Sequence, residues 1–295
     1  MEDHMLQGSY VALVTPFKDG AIDWNALETL IGYHLDEGTH GILLLGTTAE
    51  TAALAQDEKE AVLRFAMQKI GGKLPVMIGT GTNNLSQSLA NTIKAKELGA
   101  DSALVITPYY IKPTQAGMYE YFGEIATKVD IPIVIYNVPG RTGVNITAET
   151  VVRLAKDFPN ILGVKEASGN LTQASCIIRD APKNFSLLSG EDALNLPLMA
   201  IGAKGCISVT ANVAPKLMSE HIQSCLDGDF ARAAEQHLNL ALLNELMFIE
   251  TNPIPAKESL AMMGKIRAEF RSPICRLQEA NRERLTAGLK SYKLI

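Results

Sequence analysis

Asn160-Ile161-Leu162-Gly163-Val164-Lys165-Glu166-Ala167-Ser168, with the helical pattern that follows it over residues 171–179, is the stretch that decides the fold. Ile161, Leu162 and Val164 form a short apolar run that stops at polar and small residues, as expected of a buried strand in a parallel sheet. The same strand–helix unit recurs on both sides. Val11-Ala12-Leu13-Val14 closes at Thr15-Pro16, and Asp23 then caps a helix through Trp24, Leu27, Leu30, Ile31, His34 and Leu35 that ends at Gly38. Gly41-Ile42-Leu43-Leu44-Leu45-Gly46 precedes a helix opened by Asp57, and Val76-Met77-Ile78 precedes one over residues 86–98. Ala103-Leu104-Val105-Ile106 leads to a helix over 119–127, and Ile133-Val134-Ile135 to one over 147–156. Phe185-Ser186-Leu187-Leu188 and Cys206-Ile207-Ser208-Val209 lead to helices over 192–201 and 215–226.

Eight such units in about 225 residues predict an α/β fold, the (β/α)8 TIM barrel, in preference to an open doubly wound sheet. From Asp229 the strand pattern stops, and residues 231–248, 256–264 and 280–291 read as helices of a C-terminal appendage. The expected division is a catalytic barrel over 1–227 and a helical domain over 228–295.

Composition narrows the function. Of 295 residues, 47% are hydrophobic and 20% charged, with a net charge of −5, as in ordinary globular proteins and with no basic face for nucleic acid. Met1-Glu2-Asp3-His4-Met5 lacks the basic start of a signal peptide, and no apolar run approaches a membrane span, so a cytoplasmic location is expected. Cys176, Cys206, Cys225 and Cys275 are widely spaced and read as buried thiols. His34, His40, His221 and His237, like His4, show no metal-ligand spacing, and no metal is expected.

Lys165 stands out at the carboxyl end of its strand, where (β/α)8 barrels place their chemistry. A desolvated lysine sheds its proton more readily, and the neutral amine attacks carbonyl carbon to give a Schiff base. A lysine that merely marks a strand's exit into solvent is the structural alternative. The other strand ends are rich as well: Gly46-Thr47-Thr48-Ala49-Glu50, Thr107-Pro108-Tyr109-Tyr110, Tyr136-Asn137-Val138-Pro139-Gly140-Arg141-Thr142-Gly143 and Ser189-Gly190-Glu191-Asp192. An amine nucleophile, phenol and hydroxyl proton carriers and an arginine for a carboxylate make the inventory of a Schiff-base lyase acting on a 2-keto acid.

Four motifs carry a family resemblance: Gly46-Thr47-Thr48-x-Glu50, Tyr136-Asn137-Val138-Pro139-x-Arg141-Thr142-Gly143, Lys165-Glu166-Ala167-Ser168-Gly169-Asn170 and Asn252-Pro253-Ile254-Pro255. From about Gly8 onward the chain resembles the dihydrodipicolinate synthases, which condense pyruvate with L-aspartate 4-semialdehyde in lysine and diaminopimelate synthesis. The resemblance implies that Lys165 forms the imine, that Tyr136 transfers protons, and that Thr48 links it to Tyr110 of a neighbouring subunit. It further implies that Thr47 holds the pyruvate carboxylate, Arg141 the semialdehyde carboxylate, and that Gly190, Glu191 and Ile207 shape the pocket. No cofactor beyond the imine and a homotetramer, as a dimer of dimers, are implied too.

Ala49 departs from the family's usual glycine and Glu191 from a common aspartate. Relatives that share the lysine and tyrosine, N-acetylneuraminate lyase and the keto-deoxy sugar-acid aldolases, are the alternatives, and a non-catalytic keto-acid sensor is a more remote one. Arg141 after Pro139 suits a short carboxylate-bearing aldehyde. The family's lysine-feedback site corresponds here to Thr51, Ala52, Gln56, Lys59, Asn83, Gln87 and Tyr109. Gln87 stands where lysine-sensitive members have a glutamate, and Lys59 adds a like charge, so feedback is expected to be lost.

Overall fold

A computed structural model describes residues 6–295; the acidic start and His4 lie outside the described residues. Eight parallel strands close into one barrel: β1 (Gly8–Ala12), β2 (Gly41–Leu44), β3 (Val76–Gly79), β4 (Ser102–Ile106), β5 (Ile133–Asn137), β6 (Ile161–Glu166), β7 (Ser186–Ser189) and β8 (Gly205–Ser208). β1 completes the ring by pairing with both β8 and β2.

The first strand begins three residues before the apolar run predicts and leaves Leu13 and Val14 beyond its end. Pairing decides this boundary. Gly8, Ser9, Tyr10 and Val11 lie in register with Gly205, Cys206, Ile207 and Ser208, and the Ser9 N–H donates to His40 Nδ1 at 3.0 Å. The remaining strands fall within two residues of their apolar runs.

Helices α1 (Trp24–Asp36), α2 (Gln56–Ile70), α3 (Leu85–Glu97), α4 (Gln115–Lys128), α5 (Ala148–Asp157), α6 (Leu171–Asp180), α7 (Asn195–Ala200) and α8 (Pro215–Leu226) surround the strands. Asp23 caps α1 by accepting from the Ala26 N–H, whereas Glu58, inside α2, reaches back to the Ala55 N–H at 2.9 Å. The helix expected over 192–201 is split into a 3₁₀ turn at Asp192–Leu194 and the short α7. A further four-residue helix, Pro139–Thr142, follows β5; proline at its first position carries no N–H that would need a partner.

Alternation along the strands divides the core in two. Tyr10, Leu43, Met77, Leu104, Val134, Tyr136, Leu188 and Ile207 fill the barrel interior. Neighbours such as Ile135, Val164 and Leu187 belong to the larger core between strands and helices. Cys206 and Cys225 are buried as expected, but Cys176 is half-buried and Cys275 is exposed, because Cys275 lies in the irregular segment before the last helix.

The chain ends in α9 (Phe230–Leu246), α10 (Ile254–Met262) and α11 (Glu279–Ser291). α9 packs on α8, and α10 lies between α11 and the turn that follows β8. α10 is buried on every side from Ile254 to Leu260, including Lys257 and Glu258, so it is a core element laid against the carboxyl end of the barrel. Among the described residues no helix is long and apolar enough to cross a membrane.

Candidate active site

Lys165 occupies the next-to-last position of β6 and is 6% exposed. Because Val164 faces the outer core, alternation turns Lys165 into the barrel. Its register partner on β5 is Tyr136, and the ammonium nitrogen lies 4.4 Å from the centre of the Tyr136 ring. Burial pushes the Lys165 amine down to about 8, opposed by Asp192 and assisted by Arg141. Burial likewise holds the Tyr136 phenol protonated by pushing it up to about 12, with Arg141 and the Thr47 hydroxyl acting in the opposite direction.

The floor beside Lys165 is shaped by a glycine. A Cβ on Gly190 would stand 2.7 Å from the Ala167 Cβ and 3.1 Å from both Cγ and Cε of Lys165. Its neighbour Glu191 is half-buried, and burial followed by the Asp192 charge raises its carboxyl pKa. Asp192 is itself held in place, since Oδ2 accepts from the N–H groups of Val209 and Thr210 at 3.0 and 2.9 Å. Ile207 lines the interior from β8.

Glu166 is the other buried group of β6, and it is a strut. Its carboxylate accepts from Asn137 Nδ2, from Gln173 Nε2 at 3.0 Å and from the Ser168 N–H at 2.7 Å, tying the ends of β5 and β6 to α6.

The loop after β2 carries Thr47 and Thr48 in a 3₁₀ turn, Thr47–Ala49. Thr47 is exposed, Thr48 is buried, and the Thr51 hydroxyl anchors the loop by donating to the Gly46 carbonyl at 2.8 Å. The left-handed backbone positions are Leu45 and Glu50, each at φ 53°. Ala49 is not one of them, so alanine sits in this loop without strain.

Three groups that sequence reasoning left without a role hold this loop from the C-terminal segment. Asn252 Nδ2 donates to Thr48 Oγ1 at 2.9 Å. Lys257 Nζ pairs with Glu50 Oε1, and the Arg271 N–H donates to Glu50 Oε2. Glu50 and Asn252 stood in the family motifs, which was the only signal available for them. Arg141 is exposed at the mouth, with Nη2 3.4 Å from the Asn252 carbonyl oxygen.

Tyr110 stands apart from this cluster. It is 86% exposed at φ 71°, next to exposed Tyr109 and Ile111, and its N–H donates to the Thr142 carbonyl. The feedback-site positions lie on the loops after β2, β3 and β4 and on the first turns of α2 and α3; Lys59 is half-buried and Gln87 Nε2 donates to Asn91 Oδ1.

A buried, partly deprotonated amine beside a neutral phenol, ringed by hydroxyls and an arginine, is equipped for imine chemistry on a keto acid. The chain is similar to known proteins along its length. It is 50% identical over 291 residues to the 4-hydroxy-tetrahydrodipicolinate synthase of Thermodesulfovibrio yellowstonii, covering 99% of this chain and 100% of that one. The crystal structure of dihydrodipicolinate synthase from Aquifex aeolicus superposes with a TM-score of 0.97 at 47% identity, covering 98% and 99% of the two chains. A monomeric dihydrodipicolinate synthase variant superposes with a TM-score of 0.97 at 40% identity and 99% coverage of each. The sequence profile of the dihydrodipicolinate synthetase family matches residues 5–292, and the chain belongs to that family.

Proposed function

We propose that Lys165 bonds pyruvate in this chain and that Tyr136 and Tyr110 carry the protons of the reaction through the threonine pair Thr47–Thr48, a reading supported by the Thr47 hydroxyl acting on the Tyr136 phenol. The chain is a lyase that condenses pyruvate with L-aspartate 4-semialdehyde to 4-hydroxy-tetrahydrodipicolinate, a step of lysine and diaminopimelate biosynthesis. The observation that carries the assignment of Lys165 is its amine, buried, lowered to about 8 and set 4.4 Å from the Tyr136 ring centre. The Lys165 nitrogen bonds to the pyruvate carbonyl carbon, whose oxygen leaves as water. The imine draws electrons from the methyl group, one methyl proton departs, and the enamine carbon bonds to the aldehyde carbon as the aldehyde oxygen takes a proton. The substrate's amine then closes the ring and displaces Lys165. The imine itself is the electron sink, so no external cofactor takes part.

Thr47 and the N–H groups of its turn bind the pyruvate carboxylate, Arg141 binds that of the semialdehyde, and Gly190, Glu191 and Ile207 shape the pocket around both. The mouth position of Arg141 favours a short acidic aldehyde over a long polyhydroxylated one. Borohydride reduction in the presence of pyruvate is expected to fix a single adduct on Lys165, lost in Lys165→Ala; an adduct that survives in the variant refutes the assignment.

Assembly belongs to the same reading: a homotetramer, built as a dimer of dimers, in which Tyr110 completes a neighbour's relay. The consecutive exposure of Tyr109, Tyr110 and Ile111 at a strand end supports it. Light scattering at assay concentration should show the oligomer, and a fully active monomer would refute it. The feedback site, with Gln87 and Lys59, holds lysine weakly or not at all.

A further inference from the structure

We propose that Glu50, held by Lys257 and Arg271, is a positioning residue that sets where the Thr47 hydroxyl stands against the Tyr136 phenol. The inference deepens the reading above and rests on Thr47 and Tyr136 serving the reaction there. Glu50 reaches Thr47 through the main chain. Its N–H donates to the Thr47 carbonyl at 3.1 Å and closes the turn Thr47–Ala49, while its own carbonyl accepts from the Ala53 N–H at 2.8 Å and opens the next turn, Thr51–Ala53. Glu50 is therefore the joint between two 3₁₀ turns. The joint lies in the left-handed region, at φ 53° and ψ 35°, where a residue with a Cβ rests only if its surroundings hold it there.

The groups that hold it come from α10 and the segment after it. Lys257 Nζ takes Glu50 Oε1 and the Arg271 N–H takes Oε2 at 2.9 Å, so the carboxylate is fixed both in place and in rotation. The Arg271 guanidinium braces the far end of the loop, donating to the Ala53 carbonyl at 3.2 Å and pairing with Glu58, whose Oε2 accepts from the Ala55 N–H. An enclosed ion pair adds little stability over well-packed apolar groups, because taking both charges out of water offsets their attraction. What it adds here is direction: two donors on two oxygens allow one placement of the carboxylate and, through one residue's backbone, one placement of the turn. Thr47 is exposed at the near end of that turn, and its hydroxyl acts on the buried Tyr136 phenol.

Stability and positioning separate in the double variant Glu50→Gln with Lys257→Met. Lys257→Met alone strands the Glu50 charge; the second change removes that charge and restores part of the melting temperature, yet the joint stays unfixed. Pyruvate methyl hydrogens exchange with deuterated water as the imine loses and regains a methyl proton, so their exchange at saturating pyruvate reports on Tyr136 and Thr47. Measured well below the melting curves, exchange in the double variant should be about tenfold slower than in the wild type. A merely structural clamp predicts normal exchange in any folded variant, and a rate within about twofold of wild type overturns the proposal. In a Thr47→Val background, loss of the clamp should cost no more than about twofold further; a further tenfold loss would mean that it acts on another group and overturns the proposal as well. Should the double variant fail to fold, Arg271→Ala, which spares the buried pair and frees the Ala53 carbonyl, replaces it: exchange slowed by about threefold or more supports the proposal and a smaller effect overturns it. Borohydride trapping on the wild type separates the two levels: no adduct on Lys165 removes both readings, whereas an adduct with normal exchange in the variants removes this one alone.

Discussion

Lys257 Nζ lies 2.5 Å from Glu50 Oε1, with the two side chains 0% and 1% exposed, so a full ion pair is enclosed between α10 and the loop after β2. Burial, assisted by the Arg271 charge, lowers the Lys257 pKa, and the Glu50 carboxylate works against it. The Arg271 N–H takes the second carboxylate oxygen, and the Phe17 ring centre lies 4.2 Å from the ammonium. Removing one partner strands the other charge out of water. Lys257→Met should therefore destabilise the protein by about 3–5 kcal/mol in denaturant unfolding, and adding Glu50→Gln should recover part of that loss. A loss under about 1 kcal/mol would show the pair to be dispensable.

Lys165 is the contrasting lysine, buried with its amine lowered from 10.5 to about 8. Roughly one molecule in ten then carries the neutral amine at pH 7, against about one in three thousand at the ordinary value. Imine formation with pyruvate should rise with pH through about 8 and then level, as followed by stopped-flow or trapping rates. For stability the sign is the reverse of the usual lysine case. The folded pKa lies below the unfolded one, so the penalty is complete below about 8 and disappears as pH rises towards 10.5. Lys165→Met should abolish the adduct and raise stability near neutrality by on the order of 3 kcal/mol, a gain that shrinks in alkaline buffer. A destabilised variant at pH 7 would contradict this.

Gly190→Ala would bring a methyl group to 3.1 Å from two carbons of the Lys165 stem. The lysine must shift, and a displacement of under an ångström at a reacting atom is expected to slow trapping by about tenfold or more. Ala167→Gly in the same chain removes the 2.7 Å contact and should restore part of the rate. Trapping at the wild-type rate in the single variant would mean that the pocket has slack there.

Arg141→Ala should spare the pyruvate imine and weaken use of the semialdehyde. Loss of a charge-assisted pair with a carboxylate costs about 2–3 kcal/mol, or roughly 30- to 150-fold. Steady-state kinetics with each substrate varied would reveal the split, and equal losses for both would assign Arg141 another task.

L-lysine should inhibit weakly or not at all. Gln87 offers no negative charge to the ligand's ammonium, and Lys59 offers a positive one, a repulsion of about 1–4 kcal/mol at close range. Titrating the condensation with lysine up to tens of millimolar tests this; half-maximal inhibition below about 1 mM, where binding is worth about 4 kcal/mol, would refute it.

The barrel was legible because buried parallel strands are written as apolar runs, and it was misread only where they are not. Gly8, Ser9 and Tyr10 belong to β1 through pairing with β8, which no local pattern encodes. Lys165 and Tyr136 could be picked out separately from strand ends and motifs, but their adjacency is a matter of register between β5 and β6. Glu50, Asn252 and Lys257 stayed without roles for a different reason. Their partners lie more than 200 residues away in sequence, and α10 has no polar face by which its lysine could have been recognised as buried.

That long reach also fixes an order of events on the ribosome. Thr48 and Glu50 emerge 204 and 207 residues before the groups that hold them, Asn252 and Lys257. At about 5–20 residues per second, the growing chain carries Glu50 without its counter-charge for roughly 10 to 40 s. Throughout that interval the strands already made can pair, while the threonine turn has only its own Thr51–Gly46 bond to brace it. Competence for chemistry is thus among the last properties the nascent protein acquires, conferred by a segment that contributes no strand to the barrel.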